Sequence, residues 1–185
     1  MFFEWIQSFW SIETIVQKEV THMQIRIAQE TDLPALCKIY NYEVEHTTVT
    51  FDLNPKTVEE RRSWFEAHNV ENHPLIVAEV DGIVAGYACL SPYRHLEAYK
   101  ETVELSVYVD RHFRGQGIAR ALMQTILDDA RGREDIHSVI SVITGDNEIS
   151  IHLHEKFGFT YCGTMREMGC KFGKMLDIVN YQLLV

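Results

Sequence analysis

The stretch VELSVYVDRHFRGQGIARALMQTILDDARG, residues 103–132, restricts the possible folds more than any other part of the chain. An apolar strand pattern runs into an Arg/Gly loop, and the loop opens directly into an amphipathic helix. Alternation puts Glu104, Ser106 and Tyr108 on one strand face and Val103, Leu105, Val107 and Val109 on the other. The second face belongs to a core; the first carries a carboxylate. Over 117–131, Ile118, Leu122, Ile126 and Ala130 recur on one helix face, with Arg131 in the last turn and Gly132 as the stop. The first N–H groups of a helix lack intrahelical acceptors, and glycine lets backbone approach a ligand closely. A strand that delivers two glycines to a helix N-terminus therefore builds a place for phosphate.

Two familiar phosphate loops do not match. G-x-x-x-x-G-K-[ST] is absent. A dinucleotide fingerprint shares Gly115 and Gly117, but Arg120 fills its third glycine position, and the loop follows the fourth strand rather than the first.

Around this unit, strands and helices alternate. Residues 24–29 read as a strand. Residues 31–44 read as a helix with Thr31 or Asp32 as N-cap and Pro34 in its first turn. Thr57 and Glu60 form a capping box that opens a second helix over 57–69. LIVAEV, Asp81-Gly82 and IVAGYACL form a β-hairpin. Residues 138–144 are a buried strand, 150–157 a short helix, and 160–168 and 175–184 two late strands. The pattern predicts one α+β domain over 23–185 built on a mixed sheet.

Residues 1–22 stand apart as an N-terminal extension. Apolar positions at helical spacing make an amphipathic helix one reading; translated leader with Met23 as the start is the other. Glu4, Gln7 and Glu13 interrupt the segment, so it spans no membrane, and no positive region or cleavage site marks a signal peptide. The formal net charge of −10 argues against non-specific nucleic-acid binding. Four cysteines without C-x-x-C spacing read as reduced thiols of a cytoplasmic protein. Nine histidines include no H-E-x-x-H, and no metal is expected.

Arg114-Gly115-Gln116-Gly117-Ile118-Ala119 after a strand resembles the central Arg/Gln-x-x-Gly-x-Gly/Ala motif of the GNAT superfamily of acyl-CoA-dependent N-acyltransferases. NEISIHLHEKFGF, residues 147–159, is similar to that family's Asn-x-x-Ser segment and stands in the expected order. IYNYEVEHTTVTFDLNP, YKETVELSVYV and GCKFGKMLD resemble the phosphinothricin and methionine sulfoximine N-acetyltransferase branch. The resemblance runs nearly from Met23 to the end. It implies the GNAT fold: a central, mixed, mostly antiparallel sheet of six to seven strands flanked by about four helices. It implies acetyl-CoA as co-substrate, a small-molecule amine as acceptor, and a homodimer. The backbone of Val107, Tyr108 and Val109 would then pair with the pantetheine arm. Arg114, Gly115, Gln116, Gly117, Ile118, Ala119 and Arg120 would hold the pyrophosphate, and Asn147 and Ser150 belong to the same cofactor set. Asn147 is also placed to cap its helix.

The chemistry selects a base. An alkylammonium titrates near ~10, so at neutral pH only about one part in a thousand is a neutral nucleophile. Glu104 is the candidate that takes the proton, and the branch keeps a carboxylate there. The resemblance puts His154 where many relatives carry a tyrosine acid; an imidazole there serves as acid or as second base. Substrates of the branch are glutamate-like amino acids with a second anionic or sulfoximine group. Arg94, Tyr93, Tyr99, Phe51 and Lys171 are the candidates to bind one, Arg94 first. The alternatives are an enzyme for peptide N-termini or another small amine, and a non-catalytic acyl-CoA-binding regulator.

Overall fold

Asp81 and Gly82 both take positive φ, 49° and 81°, between the facing residues Val80 and Ile83. That two-residue turn twists in the sense of the strands it joins and fixes their register. It is the start of a seven-stranded sheet in the computed structural model, which describes residues 22–185. The strands are β1 (Met23–Ile27), β2 (Leu75–Val80), β3 (Ile83–Pro92), β4 (Thr102–Val109), β5 (Ser138–Thr144), β6 (Thr160–Lys171) and β7 (Lys174–Leu184). The helices are α1 (Leu33–His46), α2 (Val58–Glu66), α3 (Ile118–Arg131) and α4 (Glu148–Lys156). Spatial order is β1-β2-β3-β4-β5-β7-β6. Every pairing is antiparallel except β4 with β5. The mixed, mostly antiparallel sheet with four helices is the expected architecture.

The two sheet faces bury different things. On one, Val103 and Leu105 of β4 join Ile118, Leu122, Met123, Ile126, Leu127 and Ala130 of α3 in the larger core. That core continues through Val139, Ile143, Phe159 and Tyr181, so it crosses from β4 to β7. On the other face Leu36 and Ile39 of α1, with Trp64 and Phe65 of α2, cover Val77, Tyr87 and Cys89. Leu122 is wholly buried; fully burying a leucine stabilises by roughly 1.5–3 kcal/mol.

Local signals land close to the elements they predict. Thr57 Oγ1 accepts from Glu60 N–H at 3.2 Å, and Glu60 Oε2 accepts from Thr57 N–H at 2.6 Å. At α1 the outcome differs. A 3-10 turn, Glu30–Asp32, precedes the helix, and the Asp32 carboxylate accepts from Gln29 N–H and from Arg26 rather than capping α1. The cation from β1 outcompetes the helix end for the carboxylate. The late strands run longer than their alternation suggests, to Lys171 and from Lys174, as a hairpin. Except for His22, whose N–H donates to Asp81, the 1–22 extension lies outside the described residues. Among the described residues no helix is long and apolar enough to cross a membrane, and no group of His, Cys, Asp and Glu could hold a metal ion.

Candidate active site

β4 and β5 pair over three residues only: Thr102 with Ser138, Val103 with Val139, and Glu104 with Ile140. On its other side β4 stays paired with β3 as far as Val109, opposite Gly86. From Leu105 to Val109 the edge of β4 that faces β5 therefore carries no ladder partner there. An unpaired edge inside a sheet offers N–H and C=O groups to an extended ligand. Glu104 stands where the two strands part.

The Glu104 side chain is half-buried and has no hydrogen-bond partner among the described residues. Burial pushes its carboxyl above the usual carboxylate range, which makes the ionised form a stronger base. Its cross-strand neighbour is Ser91. Ser91 Oγ lies 2.9 Å from Nε2 of the buried His68, whose Nδ1 donates to the Trp64 carbonyl at 2.6 Å. A carbonyl only accepts, so Nδ1 holds the proton and Nε2 receives the serine hydroxyl.

Past β4, Gly115 and Gly117 take φ +75° and +81°, conformations natural to glycine, with open space where a Cβ would stand. The first α3 bond is Ala121 N–H to the Gly117 carbonyl. The N–H groups of Ile118, Ala119 and Arg120 thus have no intrahelical acceptor. The Arg114 guanidinium turns away from this cradle and pairs with the buried Glu43 of α1, clamping loop to helix. Gln116 donates to the His112 carbonyl at 3.4 Å.

At the head of α4, Asn147 Oδ1 accepts from Ser150 N–H at 3.2 Å, so the capping role is realised. His154 is buried, with Nδ1 donating to the Ser150 carbonyl at 2.7 Å. Its ring meets Phe159 edge-on, 5.0 Å between centroids. Burial lowers its pKa against the opposing pull of that carbonyl. The neutral ring with its proton on Nδ1 carries a lone pair at Nε2. Phe159 belongs to the α3-side core while Glu104 faces the other way; the two candidates share no hydrogen bond.

A cavity of about 410 Å³ lies on the Glu104 face, between α1, α2 and the strands β3 and β4. Ser91, Ser106, Tyr108, Tyr87, Tyr40 and Arg61 are among its walls. Tyr108 stacks on Tyr87 at 5.2 Å and meets Tyr40 edge-on at 5.5 Å.

The Acetyltransferase (GNAT) family profile matches residues 36–159. The chain belongs to the GNAT acetyltransferase family. It is 40% identical to a phosphinothricin N-acetyltransferase of Streptomyces coelicolor over 163 residues, 86% of this chain and 95% of that one. It is 37% identical to an L-methionine sulfoximine/L-methionine sulfone acetyltransferase of Salmonella typhimurium over 161 residues, 87% and 94% of the two chains. The crystal structure of a phosphinothricin acetyltransferase from Sinorhizobium meliloti in complex with AcCoA superposes with TM-score 0.84 at 31% identity, over 88% of each chain.

In this acetyltransferase the acceptor candidates fall into two groups. Tyr93, Arg94 and Tyr99 come together after β3: the Arg94 guanidinium lies 5.2 Å from the Tyr93 ring and 5.8 Å from that of Tyr99, on the surface. Lys171 and Phe51 come together elsewhere. Lys171 is buried, with Nζ donating to the Thr50 carbonyl at 2.7 Å and the Glu43 carbonyl at 3.4 Å. The Phe51 ring covers Gly169 so closely that a Cβ there would stand 2.5 Å from it. Both residues pin the β6–β7 hairpin to the loop after α1. Arg61, Tyr87, Ser91 and His68 were invisible as site residues in the sequence; only burial and the cavity reveal them.

Three histidines, His68 and His154 buried and His73 half-buried, set a pH dependence. His68, His73 and His154 all titrate below the usual value near 6.5, chiefly because burial disfavours the cation. As pH falls through 6.5 the unfolded chain takes up protons that the folded chain refuses, so stability falls. Glu104 has the opposite sign, since its raised pKa favours the fold as pH drops through the carboxylate range. Denaturant midpoints are therefore expected to fall from about pH 7.5 to 5.5, bracketing the imidazole range. A flat profile there would show that these rings protonate freely in the folded state.

Proposed function

We propose that this acetyltransferase uses acetyl-CoA to acetylate the α-amine of a small glutamate-like amino acid of the phosphinothricin or methionine sulfoximine type. The observation that carries the reading is the position of Glu104: a half-buried carboxylate, without a partner among the described residues, at the point where β4 leaves β5, on the strand face whose Ser106 and Tyr108 line the cavity. The unpaired edge of Val107, Tyr108 and Val109 supports a place for the pantetheine arm, and the N–H groups along 115–120 support one for the pyrophosphate. Bound acetyl-CoA supplies an acetyl thioester. The chain's own part is to hold the acceptor in the cavity, to take the ammonium proton at Glu104, and to keep that carboxylate basic by burial. Direct transfer in a ternary complex fits the cysteines, since Cys89 faces the cavity but burial pushes its thiol up to about 11, away from the nucleophilic thiolate. Four free thiols support a cytoplasmic setting. Exposed Tyr161, Met165, Met168 and Phe172 along the β6–β7 hairpin support a homodimer.

The test is CoA release with acetyl-CoA as donor and a panel of amines. Methionine sulfoximine or phosphinothricin is expected to turn over faster than free lysine or spermidine. Faster turnover of the polyamine would overturn the acceptor assignment and leave the family intact.

A further inference from the structure

The cavity beneath α1 and α2 holds a charge that the described residues do not neutralise. Arg61 is 7% exposed. Its guanidinium lies between two rings, 4.2 Å from the Tyr40 centroid and 3.9 Å from that of Trp64. Stacking covers the faces of a guanidinium plane, but its N–H groups point outward along the edge. Among the described residues none accepts a hydrogen bond from that edge, and Nε is sealed from solvent without a partner. The nearby carboxylates are engaged elsewhere. Asp52 accepts from the Tyr40 hydroxyl at 2.7 Å and stands 3.4 Å from Lys56 Nζ, and Glu60 is closed onto Thr57. The Tyr87 hydroxyl, on the same wall, is also buried without a partner. A buried cation with an open edge is costly until an anion completes it.

We propose that Arg61 receives a carboxylate of the acceptor, with its two terminal amino groups, which line the cavity without a partner among the described residues, gripping the two oxygens end-on. This rests on the amino-acid acetyltransferase reading and specifies its binding site. Planar, bidentate geometry is what a guanidinium edge offers a carboxylate. The cavity volume lies within the range of small-molecule sites. Ser91 and Ser106 line the cavity and flank Glu104, one across the strand pair and one along β4. An amino acid held by its carboxylate at Arg61 thus has its amine on the strand face that carries Glu104. The selection is for amines that bear an acid and against amines that do not.

The probe is glutarate, a diacid without an amine, beside its neutral analogue glutaramide. Glutarate is expected to raise the melting temperature of the wild type and glutaramide to leave it unchanged. Arg61→Gln should lose the glutarate response while keeping the response to acetyl-CoA. Its KM for methionine sulfoximine or phosphinothricin should rise about a hundredfold, with a smaller change in kcat, as when a buried charged partner is removed. Arg61→Lys, which keeps the charge and loses the fork, should recover part of that loss and serves where the glutamine variant does not fold. Equal responses to glutarate and glutaramide in the wild type would overturn the proposal. So would an unchanged KM and glutarate response in either variant. Glutarate binding that depends on Arg61, without turnover of any amino acid, would keep the carboxylate site and sink the acceptor reading. Turnover with a KM indifferent to Arg61 would do the reverse.

Discussion

Glu104→Gln is expected to lower turnover by about a hundred- to ten-thousand-fold, the usual contribution of a general base, while acetyl-CoA affinity stays as it was. The substitution keeps size and an acceptor oxygen but removes basicity. Burial makes the difference large, because it has already raised the carboxyl above its usual range. The carboxylate points to the cavity face and takes no part in the loop at 115–120, so cofactor binding should not respond. Raising pH supplies the neutral amine directly. An alkylammonium titrating near ~10 gains about a hundredfold in neutral fraction from pH 7 to pH 9, and the variant should recover accordingly. Turnover of both proteins across about pH 6 to 9 is the decisive comparison. A variant within a few-fold of wild type throughout would remove Glu104 from the mechanism. The lone pair at His154 Nε2 would then be the leading base.

Gly86→Ala is expected to damage both stability and cofactor binding. A Cβ at Gly86 would stand 2.7 Å from the Tyr108 carbonyl oxygen and 3.2 Å from Val109 Cα. Those are backbone atoms on the paired neighbour strand and have no rotamer through which to yield. β3 and β4 must separate, at a cost of about 1–3 kcal/mol typical of overpacking. The displaced residues are the ones that the functional reading gives to the pantetheine arm. Denaturant unfolding and acetyl-CoA titration of the same variant measure both effects. Unchanged midpoints would show slack between these strands, and unchanged affinity with lost stability would detach the end of β4 from cofactor binding.

Much of this was legible in the chain because its causes are local. Asp81-Gly82 dictates its own turn, Thr57 and Glu60 cap their own helix, and period-two alternation sorts Glu104 from Val103 without reference to anything distant. The glycines of the loop are likewise required by their own backbone angles. What stayed hidden depends on contacts between remote segments. Arg61 sits in the run EERRSWF, which reads as a solvated helix face; α1 and the sheet bury it. The pairing of the Arg114 guanidinium with Glu43, 71 residues earlier, cannot be read from the loop itself. The same holds for Lys171, whose bond to the Thr50 carbonyl spans 121 residues. Composition says nothing about where β4 and β5 separate, because that follows from the order of strands in the sheet.

That separation makes the molecule mechanically uneven. Three rungs join β4 to β5, against seven between β3 and β4 and seven between β5 and β7. The sheet is perforated along one line, and the chain crosses that line once within it, through α3. Force applied across the strands would open the tear there first, with the shared core behind it resisting as a backing layer. A ligand lying in the slot and gripping β4 from the β5 side acts as a staple. On the proposed reading the protein is stiffest when the cofactor is bound, and the line along which its two halves are least sewn together is the line the pantetheine arm would occupy.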